Sequence, residues 1–169
     1  MNMKYQKGFT LLEAIVAIGI ILAGLVGVLT LAGENARSIR VANNRVIAAH
    51  LAQEALEVVV AIRDTNWLLG ENWRENIPST TQGVVDYSSD TVAIVADPAS
   101  YCLSLASGVY VHQSPPCDTI FRRHLEINDA SELIEGEPVG YIEVKAIVEW
   151  TQGGVERSIT AVDHLYDWK

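Results

Sequence analysis

Residues 9–32 read FTLLEAIVAIGIILAGLVGVLTLA, interrupted by one charge, Glu13. From Ala14 to Gly33, 20 consecutive residues carry no charge. A helix rises about 1.5 Å per residue, so this stretch matches a hydrocarbon core about 30 Å thick. A soluble core helix is usually shorter and keeps a polar face, and this segment has none. A cleaved secretory signal would have an apolar region of roughly 7–15 residues ending at a small-residue cleavage site. The stretch is too long for that, and the leader MNMKYQKG is short. A plain membrane anchor explains the length but leaves Glu13 unexplained. An unpaired carboxylate in an apolar span is costly and is by default a functional candidate. The bland alternative places it shallow, near the headgroups, since it lies early in the span.

The surrounding composition narrows the function classes. The chain has 169 residues, with Lys+Arg 12 against Asp+Glu 21, a formal charge of −9. That length suits one domain with an appendage, not an α/β barrel or a two-domain Rossmann enzyme. An acidic surface argues against nucleic acid as the main partner, because phosphate contacts need clustered Lys and Arg. Two cysteines are too few for a disulfide scaffold or a four-cysteine zinc site.

The residues at the head of the apolar segment are specific. Lys7-Gly8-Phe9-Thr10-Leu11-Leu12-Glu13 closely resembles the prepilin processing motif of type IV pilins and type II secretion pseudopilins. The resemblance is strongest over residues 4–33. It implies that a prepilin peptidase cuts after Gly8 and N-methylates Phe9, leaving Glu13 as the fifth mature residue. A glycine lets the backbone enter a peptidase cleft, and Lys4 and Lys7 hold the leader at an anionic membrane surface. In the apolar centre of a filament, the new Phe9 ammonium and the Glu13 carboxylate of a neighbour would attract strongly, while either alone is penalised. The pair would act as a register check. Gly24 and Gly27 allow close helix approach, or simply reflect the frequency of glycine in membrane helices. Many major pilins carry a proline near the position of Thr30, and its absence here leans toward a minor pilin or pseudopilin.

The helix should continue from Glu34 to about Arg63. Ile47, Leu51, Ala55, Val58 and Ile62 recur on one helical face. A continuous helix over residues 10–63 would be roughly 80 Å long; the alternative is a break near Gly33. A loop-rich connector follows from Trp67. Short β-rich runs are expected at 83–87, 91–96, 107–112 and 119–127. The clearest hairpin is last. Residues 141–150 put Ile142, Val144, Ala146, Val148 and Trp150 on one face, Thr151-Gln152-Gly153-Gly154 supplies the turn, and 155–166 returns with Ile159 and Ala161 on one face. The expected class is α+β: a long N-terminal helix, membrane-spanning then amphipathic, packed on a C-terminal antiparallel sheet, the pilin fold that the resemblance implies. The domain boundaries read as leader 1–8, apolar helix 9–33, amphipathic half 34–64 and sheet domain 65–169.

The resemblance also implies a location. The chain would sit in the inner membrane as a single pass, N-terminus cytoplasmic and C-terminal domain outside, then enter a pilus or pseudopilus. Counting charges does not orient it, because Lys4 and Lys7 face Arg37, Arg40 and Arg45 across the span. Outside the cytoplasm, Cys102 and Cys117 are expected to pair; the alternative is two unpaired thiols. Expected partners are the prepilin peptidase/methylase, other pilin or pseudopilin subunits, an inner-membrane assembly platform and lipid, with no nucleic acid and no cofactor. The start of the chain looks most like the minor pilin V and pseudopilin I type. The rival class is a membrane-tethered binding domain that never polymerises.

Little else suggests chemistry. His50, His112, His124 and His164 form no close metal pair. Asp86, Asp90 and Asp163 lack a defined calcium-loop pattern. There is no G-x-S-x-G elbow, Walker A motif or G-x-G-x-x-G, so neither catalytic nor metal residues are expected. Arg122-Arg123-His124 is a small basic patch on an acidic chain, and its simplest reading is a solvated strand. Trp67, Trp73 and Trp168 are candidates for subunit contacts or for covering an element edge.

Overall fold

The computed structural model describes residues 10–134 and 137–167. It divides into two compact units, residues 1–43 and 44–169.

The described part of the first unit is helical and belongs to α1 (Leu11–Leu69). Thr10 caps it. Its Oγ1 accepts a hydrogen bond from the Glu13 amide at 3.3 Å, and its carbonyl accepts from Ala14 N at 3.2 Å. Thr10-Leu11-Leu12-Glu13 thus has the spacing of a capping box, with a carboxylate at the positive end of the helix. From Leu11 to Leu31 the large apolar side chains all stand exposed. This is the one described helix long and apolar enough to cross a membrane, and its most apolar window buries nothing against protein. Thr30 is helical, and its hydroxyl donates to the Val26 carbonyl at 2.9 Å. The helix is unbroken at Gly33.

The second unit is built on the rest of α1. Ala48, Leu51, Ala52, Ala55, Val58, Val59 and Ile62 are buried, a stripe one helical face wide. Three of the seven are alanines, which lets the helix axis approach the sheet closely. The helix runs to Leu69, past the expected end near Arg63. It stops in a Schellman motif. Gly70 adopts φ 74°, Gly70 N donates to Trp67 O at 3.2 Å, and Glu71 N donates to Asn66 O at 2.9 Å. The stop signal is the glycine. The loss of apolar periodicity after Ile62 only marks where the helix leaves the core.

Among the described residues seven strands follow: β1 (Thr80–Val84), β2 (Ala93–Ile94), β3 (Leu103–Ala106), β4 (Val109–His112), β5 (Phe121–Ile134), β6 (Glu137–Gln152) and β7 (Val155–Tyr166). A 3-10 helix, Pro98–Tyr101, precedes β3. The main sheet is antiparallel in the order β2-β1-β5-β6-β7, and β3–β4 is a separate hairpin. Phe121, Leu125 and Ile127 of β5 join Ile142, Val144, Ala146, Val148 and Trp150 of β6 and Leu165 of β7 in one core with the α1 stripe. Burying each large aliphatic side chain contributes about 1.5–3 kcal/mol, so this contact dominates the unit. The fold is α+β, a long N-terminal helix with a C-terminal antiparallel sheet, as expected.

Several boundaries moved. The last hairpin turns on Gly153-Gly154 alone, at φ 61° and 77°, with Gln152 opposite Val155. That is the mirror-image two-residue turn that matches strand twist. Ser107 and Gly108 are a turn between β3 and β4, not the start of a strand, and β3 lay outside the runs expected from sequence. β5 and β6 are longer than 119–127 and 141–150, pairing from Phe121↔Trp150 to Ile134↔Glu137. Propensity discourages this, because Pro138 and Gly140 lie in β6; continuous pairing with β5 overrides it.

Candidate functional site

Two regions carry polar groups with possible roles. At the start of α1, Glu13 is exposed on the first turn, its amide held by Thr10. Lys4, Lys7, Gly8 and Phe9 lie outside the described residues. The structure therefore adds to the sequence reading a local role for Glu13, as the third helical residue behind a threonine cap.

The second region lies between helix and sheet and corrects the reading of Arg122-Arg123-His124. These residues are not a surface patch. Phe121, Arg123, Leu125 and Ile127 alternate onto the inner face of β5, and Arg123 is 1% exposed. Its Nη1 donates to Glu54 Oε1 at 2.8 Å and to the Leu51 carbonyl at 3.0 Å, both on α1. Its Nη2 donates to the Val85 carbonyl at 2.7 Å and lies 3.7 Å from Asp86 Oδ1. One guanidinium thus ties the helix, β5 and the end of β1 together, using the planar fork that lysine lacks.

His112, at the end of β4, completes the cluster. Its Nδ1 lies 2.7 Å from Asp86 Oδ1, its Nε2 lies 3.0 Å from the Arg123 carbonyl, and its amide donates to Asp86 Oδ1 at 2.9 Å. Both ring nitrogens thus face oxygen atoms. Burial pushes the Asp86 carboxyl up. The hydrogen bonds from His112 and the charges of His112 and Arg123 outweigh that, holding it below the usual carboxylate range. Asp86 is therefore a partner of the β3–β4 hairpin.

The flanking residues of the triplet differ. Arg122 is exposed and donates to the Pro98 carbonyl at 2.7 Å. His124 stacks on Tyr101 at 4.6 Å, and burial holds its imidazole below the ordinary value against the pull of Glu149 and Glu126. Elsewhere, Asp129 is clasped by Arg74 and by the Ser79 hydroxyl at 2.6 Å. The Ser79 hydrogen bond, with the Arg74 charge, holds its carboxyl low. Trp67 and Trp73 are half-buried, with Arg63 stacked 4.6 Å from the Trp67 ring, and Trp168 lies outside the described residues.

Cys102 and Cys117 are bonded, with Cα atoms 6.2 Å apart, closing the β3–β4 hairpin and its following loop. His50 is exposed on α1, and His164 sits 3.6 Å from Glu143. Among the described residues no group of three or more His, Cys, Asp or Glu is placed to hold a metal ion.

Sequence reasoning missed the Arg123 clasp, although the signal was present. Apolar residues at 121, 125 and 127 set a period of two, and position 123 falls on the same face. The Asp86–His112 pair had no comparable signal, because its members are joined only by tertiary structure.

Comparison with known families matches residues 3–29 to the prokaryotic N-terminal methylation motif. No curated protein and no solved structure gives a significant match to the chain.

Proposed function

We propose that this type IV pilin-like protein, with its prepilin motif at residues 3–29 and its apolar helix followed by a β-sheet, is a minor-pilin subunit anchored in the inner membrane. A prepilin peptidase cuts it after Gly8 and methylates Phe9. The chain then crosses the membrane once, with the sheet domain outside, and enters a pilus through its N-terminal helix. Its role is structural and not enzymatic. The carrying observation is one conjunction: a Gly8-Phe9 junction, a carboxylate at Glu13, and behind it a helix that is charge-free and exposed on every side. A soluble domain has no use for such a surface, whereas lipid first and neighbouring helices later both cover it.

The test has two steps. Intact mass and N-terminal sequencing of protein from cells with the native processing machinery should find a chain starting at N-methyl-Phe9. Retention of Met1–Gly8 would overturn the reading. The second step compares Glu13→Gln with Glu13→Ala in isolated filaments. Glutamine preserves the capping box and removes the charge. If charge is the requirement, both variants fail to incorporate; if only the cap matters, Glu13→Gln assembles normally. Normal incorporation of both would overturn the role given to Glu13, and absence of the unsubstituted chain from isolated filaments would leave a membrane tether as the better description. Loss of protein secretion on deletion, with surface filaments intact, would move the subunit to a pseudopilus.

A further inference from the structure

Past the main sheet, β5 and β6 continue alone. The β1 ladder on β5 ends at Thr80↔Ile127, and the β7 ladder on β6 ends at Tyr141↔Tyr166. Residues 131–134 and 137–140 pair only with each other, a two-stranded arm about 13 Å long. An isolated two-stranded ribbon is marginal in water. This one is braced at its root on both sides: Arg74 and Ser79 hold Asp129, and Tyr166 donates its hydroxyl to Glu132 at 2.7 Å. The sheet thus supports a projection whose described side chains lie outside the core cluster, with Leu133 75% exposed.

The arm is strongly charged in one sense. Residues 131–140 contain three acids, Glu132, Glu135 and Glu137, and no Lys or Arg. The register puts Glu132 opposite Val139 and Glu137 two positions away on the same face. Such diagonal neighbours sit about 7–8 Å apart, where like charges are unfavourable. A cationic partner removes that penalty.

The chain itself supplies one candidate. Of its 12 basic residues, Arg63, Arg74, Arg123 and Lys145 are ion-paired, and Arg122 is bonded to a carbonyl. Arg37, Arg40 and Arg45 are exposed, and among the described residues none has an ion-pair partner. They lie in residues 35–53, which contain no acid. Arg37 and Arg40 are i, i+3 neighbours on the helix, about 5–6 Å apart at Cβ. With long flexible stems they can meet two carboxylates at the arm's spacing.

We propose that the acidic face of the arm, Glu132 and Glu137, docks on Arg37 and Arg40 of a second copy of this chain. The contact rests on the assembly reading above and adds to it a specific electrostatic junction outside the apolar span. It gives an acidic subunit, otherwise self-repelling, a complementary surface that fixes register.

The experiment uses full-length chain in cells with the native processing machinery. Two differently tagged copies are co-expressed, one carrying Val139→Cys and the other Ala36→Cys, which leaves all four charges in place. The native cysteines are bonded to each other, so a short thiol cross-linker reads only the introduced pair. Ile20→Cys in both copies reports helix–helix assembly in parallel. The expected result is a Val139–Ala36 adduct between tags. Glu132→Arg with Glu137→Arg should lower it about tenfold, as expected for reversing two exposed ion pairs. Arg37→Glu with Arg40→Glu in the other copy should restore it. If the Ile20 adduct forms without the Val139–Ala36 adduct, the inference fails and assembly stands. A yield indifferent to charge reversal, or arm adducts only to a different protein, also overturns it. If the Ile20 adduct is missing as well, the assembly reading fails with it. Arginines serving lipid headgroups alone would give the first of these results.

Discussion

Replacing Arg123 by methionine keeps most of the side chain's apolar stem and removes its guanidinium. The guanidinium donates to Glu54 Oε1, Leu51 O and Val85 O at 2.8, 3.0 and 2.7 Å. Breaking a buried ion pair by removing one partner costs about 3–5 kcal/mol, because the other charge stays behind. The Glu54 side chain is 33% exposed, so water recovers part of its hydration. The expected loss is therefore near the lower end, about 3 kcal/mol. A urea slope of about 1–3 kcal/mol per molar turns that into a midpoint shift of roughly 1–3 M. The assay is urea unfolding of the full chain in detergent, followed by tryptophan fluorescence, since Trp150 is buried in the same core. Arg123→Lys should recover only part of the loss, because a lysine cannot span three acceptors with a planar fork. Adding Glu54→Leu to Arg123→Met should recover stability by removing the stranded carboxylate. A midpoint for Arg123→Met within about 0.3 M of wild type, at unchanged slope, would refute the idea that this clasp joins helix to sheet.

Three further outcomes follow from the same structure. Gly70→Ala forces a side chain into the left-handed region and should cost about 1–2 kcal/mol, read as a lower Tm; an unchanged Tm would mean that the Schellman stop is dispensable. Cys102→Ser with Cys117→Ser opens a loop of sequence separation 15 and should lose about 3 kcal/mol in the chain-entropy model; no change in chemical stability would contradict it. Burial holds the His124 imidazole below its ordinary 6.5. As pH falls the unfolded chain binds that proton first, so this contribution is complete above about pH 6.5 and is lost below it. His124→Gln should flatten the unfolding midpoint in that window, and an identical acid slope in the variant would rule His124 out. The depressed Asp86 carboxyl acts in the same direction at lower pH, with its contribution lost only as pH falls below its ordinary 3.8.

Local chemistry made much of the chain legible. A charge-free run from Ala14 to Gly33 has few places to go but a membrane or a bundle of its own kind. Alternation in residues 141–150 and a Gly153-Gly154 turn specify a hairpin and the face it buries. Where local signals conflicted, the reading fell short. The helix end depended on Gly70, eight residues past Ile62, the last point where apolar periodicity gave guidance. The arm of β5 and β6 contains Pro138 and Gly140, which local rules take as breakers.

The sequence by itself determined the motif and the apolar helix, the amphipathic stripe and the last hairpin, because each depends on residues close along the chain. Tertiary structure alone decided that Arg123 is a buried clasp, that Asp86 meets His112 across 26 positions, and that two strands run on as an acidic arm. A charge is worth burying only when its partners converge from other elements. Glu54 lies on the helix, Val85 follows β1 and His112 ends β4. Their meeting is a property of the packed sheet, and no local spacing encodes it.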